Sequence, residues 1–245
     1  WRLDLDITNV TSALSAVNLA GPSSREVLRQ AGCDLDLSPE HFPYLAYREA
    51  TIGGIPARLM RVGFVGELGY ELHVPSPLVG DLWDTLMTAG HGHGIRPFGV
   101  EAQRLLRLEK GHIIVGQDTD GMTHPNEVAL RWAIAQHKPF YVGGRSVEIL
   151  SRRPLERQLV GFELTDVSPQ PMEGHLVIRE GEIVGSVTSC EFSPTLQKII
   201  GLAYVHPEDA GAGSQIVIRT ESGVCAQARV VKTPFYDPDN ARQSL

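Results

Sequence analysis

The chain has 245 residues, 42% hydrophobic and 21% charged, an ordinary globular composition with enough apolar content for a sizeable core. Its formal net charge is −7 and its pI about 5.7, which argues against nonspecific nucleic-acid binding because that needs a basic surface. Cys33, Cys190 and Cys225 are scattered without a CxxC pair, so a reducing cytoplasm is expected rather than a disulfide framework or a zinc ribbon; no apolar run is long enough to span a bilayer.

In chain order, the opening "WRLDLDITNVT" alternates Leu3, Leu5 and Ile7 with Arg2, Asp4 and Asp6, and reads as a strand already under way. It begins at Trp1 without Met and carries no secretory leader pattern, so a piece of a longer polypeptide, or one lacking its start, is expected. A strand over 15–19 follows, then Gly21-Pro22. Ser23 or Ser24 is placed to cap a helix running to Gln30, which Gly32 stops. Two short strands flank Gly53-Gly54, a hairpin signal. "RLMRVGFVGELGYELHVPS" reads as strand, glycine-punctuated loop, strand, with Glu67 between Gly66 and Gly69. Ser76-Pro77 opens a helix with Leu78, Leu82, Trp83 and Leu86 on one face. "GVEAQRLLRLEKG" predicts a short helix ending at Gly111, and "NEVALRWAIA" another.

Composition changes near "LSRRPLER", after which helical patterns stop. "LVGFEL", "HLVIREGEIVGSVTS", "IGLAYV" and "QIVIRTESGVCAQARVVKT" are short alternating strands joined by turn residues, the pattern of a small antiparallel barrel or sandwich. The expected organisation is an α+β domain over residues 1–153 followed by an all-β domain over 154–245.

Among chemical candidates, Glu67 stands out. Flanking glycines let backbone approach a ligand, and a single carboxylate can accept two parallel N–H donors from a planar amidine-like edge such as a pterin or guanine; a polar hairpin tip is the plain alternative. His91 and His93 in "GHGHG" lack the third and fourth ligands a zinc site needs and read as a glycine-rich loop after a helix, so no metal is expected. "GQDTDGMTHPNE" resembles a calcium loop in composition, through Asp118, Asp120 and Glu127, but fails its spacing; a loop leading into a helix at Asn126 fits better. "RLLRLEKG" offers Arg104, Arg107, Glu109 and Lys110 either to an anionic tail or to solvent with internal ion pairs. Trp132 lies among Leu130, Ala133 and Ile134 and is expected in the core, with the option of stacking on a planar ring. Neither a dinucleotide-binding GxGxxG in its strand–turn–helix setting, nor a Walker motif, nor a GxSxG elbow is present.

Three stretches in register, "GFVGELGYELHVP", "GVEAQRLLRLEKGHIIVGQDTDG…HPNEVALRWAI" and "GSVTSCEFSPTLQKIIGLAYV" with "PFYDP" beyond it, resemble the folate-dependent aminomethyltransferase superfamily, the glycine cleavage T-protein and its relatives. The resemblance covers essentially the whole chain. "VNLAGPSSREVL", "LRLEKGHIIVGQDTDG" and "PFYDPDNARQ" are most similar to the C-terminal region of heterotetrameric sarcosine oxidase α subunits.

That resemblance implies a T-protein-like folate-binding α+β region followed by a C-terminal antiparallel β-barrel, around a central hole that admits tetrahydrofolate. Glu67 would grip the pterin amino group and ring N–H, with Phe64, Tyr70, Gln103, Arg104 and Trp132 as the other folate-binding candidates. Gln103 stands where the T-protein has a folate-contacting arginine, which removes a charge and a fixed fork of donors. The family's key aspartate falls before Trp1, so no catalytic residue is assigned in this chain. The implied activity traps the methylene of an oxidised N-methyl amine: N5 of tetrahydrofolate attacks the iminium carbon, and ring closure through N10 gives 5,10-methylenetetrahydrofolate. FAD, FMN or NAD would enter only through other domains or flavin-bearing oxidase subunits. The alternatives are a stand-alone aminomethyltransferase acting with a lipoyl-carrier protein, and a folate-binding regulatory protein without catalysis.

Overall fold

The computed structural model describes residues 3–135, 137–166 and 169–245. By compactness the chain divides into two units, Trp1–Gln103 with Asp239–Leu245, and Arg104–Pro238.

In the first unit, β1 (Leu14–Ala20), β2 (Tyr47–Ile52), β3 (Ile55–Met60) and β4 (Gly69–Pro75) form an antiparallel sheet in the order β1-β4-β3-β2. The β2–β3 hairpin turns at Gly53 and Gly54, with φ of 55° and 85°, the double positive φ a two-residue turn of this hand requires. Along β4 every second side chain faces inward. Tyr70, Leu72 and Val74 are fully buried, beside Ala57 and Leu59 of β3. Helices α1 (Ser24–Gln30) and α2 (Val79–Gly90) contribute Val27, Leu28, Leu82 and Leu86 to the same core, while Trp83 stays 43% exposed. Gly32, at φ 76°, follows α1 as expected of a helix stop.

Three local expectations need correction. Residues 3–10 form no strand and are exposed, Ile7 at 89% (Trp1 and Arg2 lie outside the described residues). Alternation supplies a two-faced side-chain pattern, but a strand also needs a neighbouring edge for its N–H and C=O groups, and among the described residues none pairs with it. Ser23 holds the N-cap position of α1 without a side-chain bond, and the Ser24 hydroxyl donates to the Leu68 carbonyl at 3.1 Å instead. Ser76 opens a 3-10 turn ahead of α2, and its hydroxyl donates to the Ser12 carbonyl.

In the second unit β5 (Gln158–Leu164), β6 (Leu176–Arg179), β7 (Glu182–Ser193), β8 (Lys198–Val205), β9 (Gln215–Arg219) and β10 (Cys225–Val231) close into an antiparallel barrel of order β10-β5-β8-β7-β6-β9. Closure leaves no free edge and decides for a barrel over a sandwich. Phe162, Val177, Val187, Ala203, Val205, Ile218 and Ala228 fill its interior. Helix α3 (Val100–Glu109), within which the division between the units falls, is followed by Gly111 at φ 71°, and a further helix, α4 (Gly144–Ser151), precedes the barrel. The helix expected over "NEVALRWAIA" is absent. Ala129 sits in the left-handed region at φ 56°, which interrupts helical propagation, and only a 3-10 turn at Arg131–Ala133 follows. All the barrel strands lie beyond the residue-153 boundary read from composition, whereas compactness groups them with the segment from Arg104 onward. Among the described residues no helix is long and apolar enough to cross a membrane.

Candidate functional site

The loop between β3 and β4 is built around its glycines. A Cβ on Gly63 would lie 2.6 Å from the Glu67 carbonyl oxygen and 2.7 Å from Gln243 Nε2, and one on Gly69 would lie 2.7 Å from the Val62 carbonyl oxygen. Both positions therefore need glycine for the loop to fold on itself, and Gly66 adds a left-handed turn at φ 81°. The Leu68 carbonyl accepts from Gly21 N at 2.9 Å as well as from Ser24, tying the loop to the start of α1. Glu67 is thus held on a fixed backbone, its side chain 19% exposed.

The partner of Glu67 comes from the far end of the chain. Arg242 Nε donates to Glu67 Oε1, across 175 residues of sequence. Glu67 Oε2 is buried and has no partner in the protein. A buried acceptor without a donor is costly, and one left open in a native fold marks a place where water or a ligand donor completes it. The segment carrying Arg242 is itself anchored. Gln243 Nε2 donates to the Gly63 carbonyl at 2.7 Å, and buried Arg61 donates to the carbonyls of Gln243 and Leu245 at 3.1 and 3.0 Å. Burial pulls the Arg61 guanidinium below its ordinary range. Arg61, Arg242 and Gln243 carry no local sequence signal, because their roles come from contacts between distant segments.

The other predicted residues are placed as follows. Phe64 is half-buried in the same loop as Glu67. Tyr70 is fully buried in the core, its ring 5.9 Å from that of Phe42. Gln103 lines a cavity of about 510 Å³ in the first unit, together with Asn18 of β1, Trp83 and Met87 of α2, and Phe98. Arg104 is exposed and donates to Gln117 Oε1 at 2.8 Å. Trp132 is 77% exposed in its 3-10 turn, not in the core. The missing helix explains this, since no continuous apolar stripe forms there to bury the indole. Among the described residues no three His, Cys, Asp or Glu side chains group as a metal site.

The charged end of α3 is neither a solvated face nor an anion site, apart from Arg104. Arg107 is 2% exposed, and it donates to Asp118 Oδ2 at 2.5 Å, Ser189 Oγ at 2.7 Å and the His112 carbonyl at 2.9 Å. Glu109 accepts from the Ser193 hydroxyl at 2.5 Å, and Lys110 Nζ donates to Asp237. Asp118, read from sequence as part of a loop, is completely buried. It accepts from Ile114 N and from the hydroxyls of Thr188 and Ser189 as well as from Arg107. These groups hold α3 and the 114–119 loop to the barrel strands β7 and β8.

A four-stranded antiparallel sheet with two helices on its core, then a closed six-stranded barrel, defines an α+β protein with a C-terminal antiparallel barrel, and its glycine-bracketed acid defines the candidate site. The chain belongs to the glycine cleavage T-protein family: the model of the GCVT N-terminal domain matches residues 1–138, and that of the glycine cleavage T-protein C-terminal barrel domain matches residues 157–237. An aminomethyltransferase of Thermotoga petrophila is 34% identical over 235 residues, covering 96% of this chain and 63% of that protein. The sarcosine oxidase α subunit of Corynebacterium sp. strain P-1 is 33% identical over 253 residues, covering 99% of this chain and 26% of the subunit. The crystal structure of the glycine cleavage system aminomethyltransferase T from Bartonella henselae superposes with a TM-score of 0.79 at 25% identity, over 91% of this chain and 59% of that one. The chain therefore spans less than two thirds of the length of these relatives.

Proposed function

We propose that this chain is a tetrahydrofolate-binding one-carbon transfer module of a sarcosine-oxidase-type α subunit, working in the cytoplasm beside flavin-bearing subunits. The observation that carries the folate reading is the buried, unpartnered Oε2 of Glu67 on a rigid glycine loop. A carboxylate oxygen has two lone pairs, so Oε1 can keep Arg242 and still accept, while Oε2 waits for a donor. The amino group and ring N–H of a pterin are planar, adjacent donors that suit it. When bound, tetrahydrofolate supplies the two nitrogens that accept the one-carbon unit. This chain's residues bind and orient it. Glu67 fixes the pterin edge, Phe64 of the same loop offers a ring face, Tyr70 anchors the start of β4 in the core, and Gln103 offers an amide to the more distant part of the molecule. Match to the sarcosine oxidase α subunit along 99% of the chain favours the oxidase setting. A second reading, an aminomethyltransferase, is favoured by the larger share of the Thermotoga petrophila protein that this chain spans.

Calorimetric titration with tetrahydrofolate tests the site. Glu67→Ala is expected to weaken binding by roughly 1.5–3 kcal/mol, about ten- to a hundredfold, through loss of a charged acceptor. Unchanged affinity in that variant would remove the pterin assignment. Gln103→Arg is expected to tighten binding by about 1 kcal/mol by restoring a charged donor fork. Indifference would mean that the folate tail does not run past Gln103.

A further inference from the structure

We infer that Arg242 is a positioning residue for folate: its Nε–H holds one carboxylate oxygen of Glu67 so that the other, buried and without a donor in the protein, is left to the pterin. The inference rests on the folate reading of Glu67 and extends it to a residue 175 positions away. An unrestrained glutamate samples several rotamers, and freezing it on binding costs affinity. A guanidinium donor on Oε1 removes that cost in advance and leaves Oε2 as the unpaired acceptor.

The same guanidinium is itself a planar array of donors, so Arg242 could instead compete with the pterin for Glu67. The structure favours positioning, because the segment around Arg242 is fastened rather than loosely laid down. Gln243 is 9% exposed and bonded to Gly63, whose missing side chain makes room for it. Arg61 spans Gln243 and Leu245, and Arg25 NH2 reaches the Leu245 carbonyl at 2.5 Å. These bonds fix the backbone on either side of Arg242, so its side chain starts from a set position within reach of Glu67.

The test is a double-mutant cycle by calorimetric titration of the full chain with tetrahydrofolate, using wild type, Arg242→Met, Glu67→Gln and the double variant, with thermal melting of each as a check on folding. Arg242→Met keeps most of the aliphatic stem and removes the donors. It is expected to weaken binding about tenfold and to lower the melting temperature, the variant still melting in one cooperative transition well above the titration temperature. Once Glu67 is Gln, losing Arg242 is expected to cost no more than about twofold, because its effect passes through the carboxylate. Tighter binding by Arg242→Met would show that the residue competes with folate. Full additivity of the two losses would show that it acts apart from Glu67. Either result overturns the inference while leaving Glu67 as the folate contact. If Glu67→Gln binds as wild type, the folate reading falls and this inference with it.

Discussion

Asp118→Ala is expected to lower stability by about 3–5 kcal/mol, the cost of stranding one member of a buried ion pair. Arg107 is 2% exposed and would keep only the neutral acceptors Ser189 Oγ and the His112 carbonyl. The loss is a large part of the 5–15 kcal/mol that typically separates folded from unfolded domains. The reciprocal change should cost less. In Arg107→Met, Asp118 keeps three donors, from Ile114 N, Thr188 and Ser189, and Met restores apolar volume. Urea unfolding followed by far-UV circular dichroism checks both, with Asp118→Ala expected to show the lower midpoint. Equal midpoints would mean that the carboxylate is not satisfied independently of Arg107. An Asp118→Ala midpoint at the wild-type value would mean that the pair is not buried in solution.

Gly185→Ala is expected to disrupt the barrel, at a cost of about 3 kcal/mol or more. Gly185 lies on β7, opposite Val177 of β6, and a Cβ there would sit 1.8 Å from the Tyr204 carbonyl oxygen and 3.2 Å from Val205 Cα. Both obstacles are backbone of β8, which cannot rotate aside as a long side chain can. The strands must separate, and the barrel closure that removes its edges is lost. Gly121→Ala is the control, with nothing within 4 Å of its added Cβ and an ordinary φ. Urea midpoints measured on the barrel signal should fall for Gly185→Ala and hold for Gly121→Ala. A wild-type midpoint for Gly185→Ala would show that β7 and β8 are farther apart than described.

Local signals carried a good deal of the candidate site. Gly66 and Gly69 bracket the acid in the sequence, and the structure shows why two of the loop's glycines are needed: Gly63 and Gly69 make close backbone approaches. The orphan oxygen and the Arg242 partner were invisible there. Nothing in "DPDNARQSL" announces that its arginine meets an acid 175 residues earlier. The same limit misplaced the end of α3. "RLLRLEKG" has the charges of a solvated helix face, yet Arg107, Glu109 and Lys110 are all buried and paired. Trp132 failed in the opposite direction, since its apolar neighbours suggested a core position and no helix formed to bury it.

The strand segments of the barrel, the Gly53-Gly54 hairpin, the stop of α1 at Gly32 and the family membership could all be read from the chain alone. Each rests on short-range physics: alternation of side chains along a strand, positive φ that glycine tolerates, or motifs kept in order. Closure of the barrel, the absence of a strand over residues 3–10, and the partners of every buried charge required the folded chain. Those features depend on which distant backbone edge or side chain arrives to satisfy a polar group, and a hydrogen bond between residues 175 or 182 positions apart leaves no trace in local periodicity.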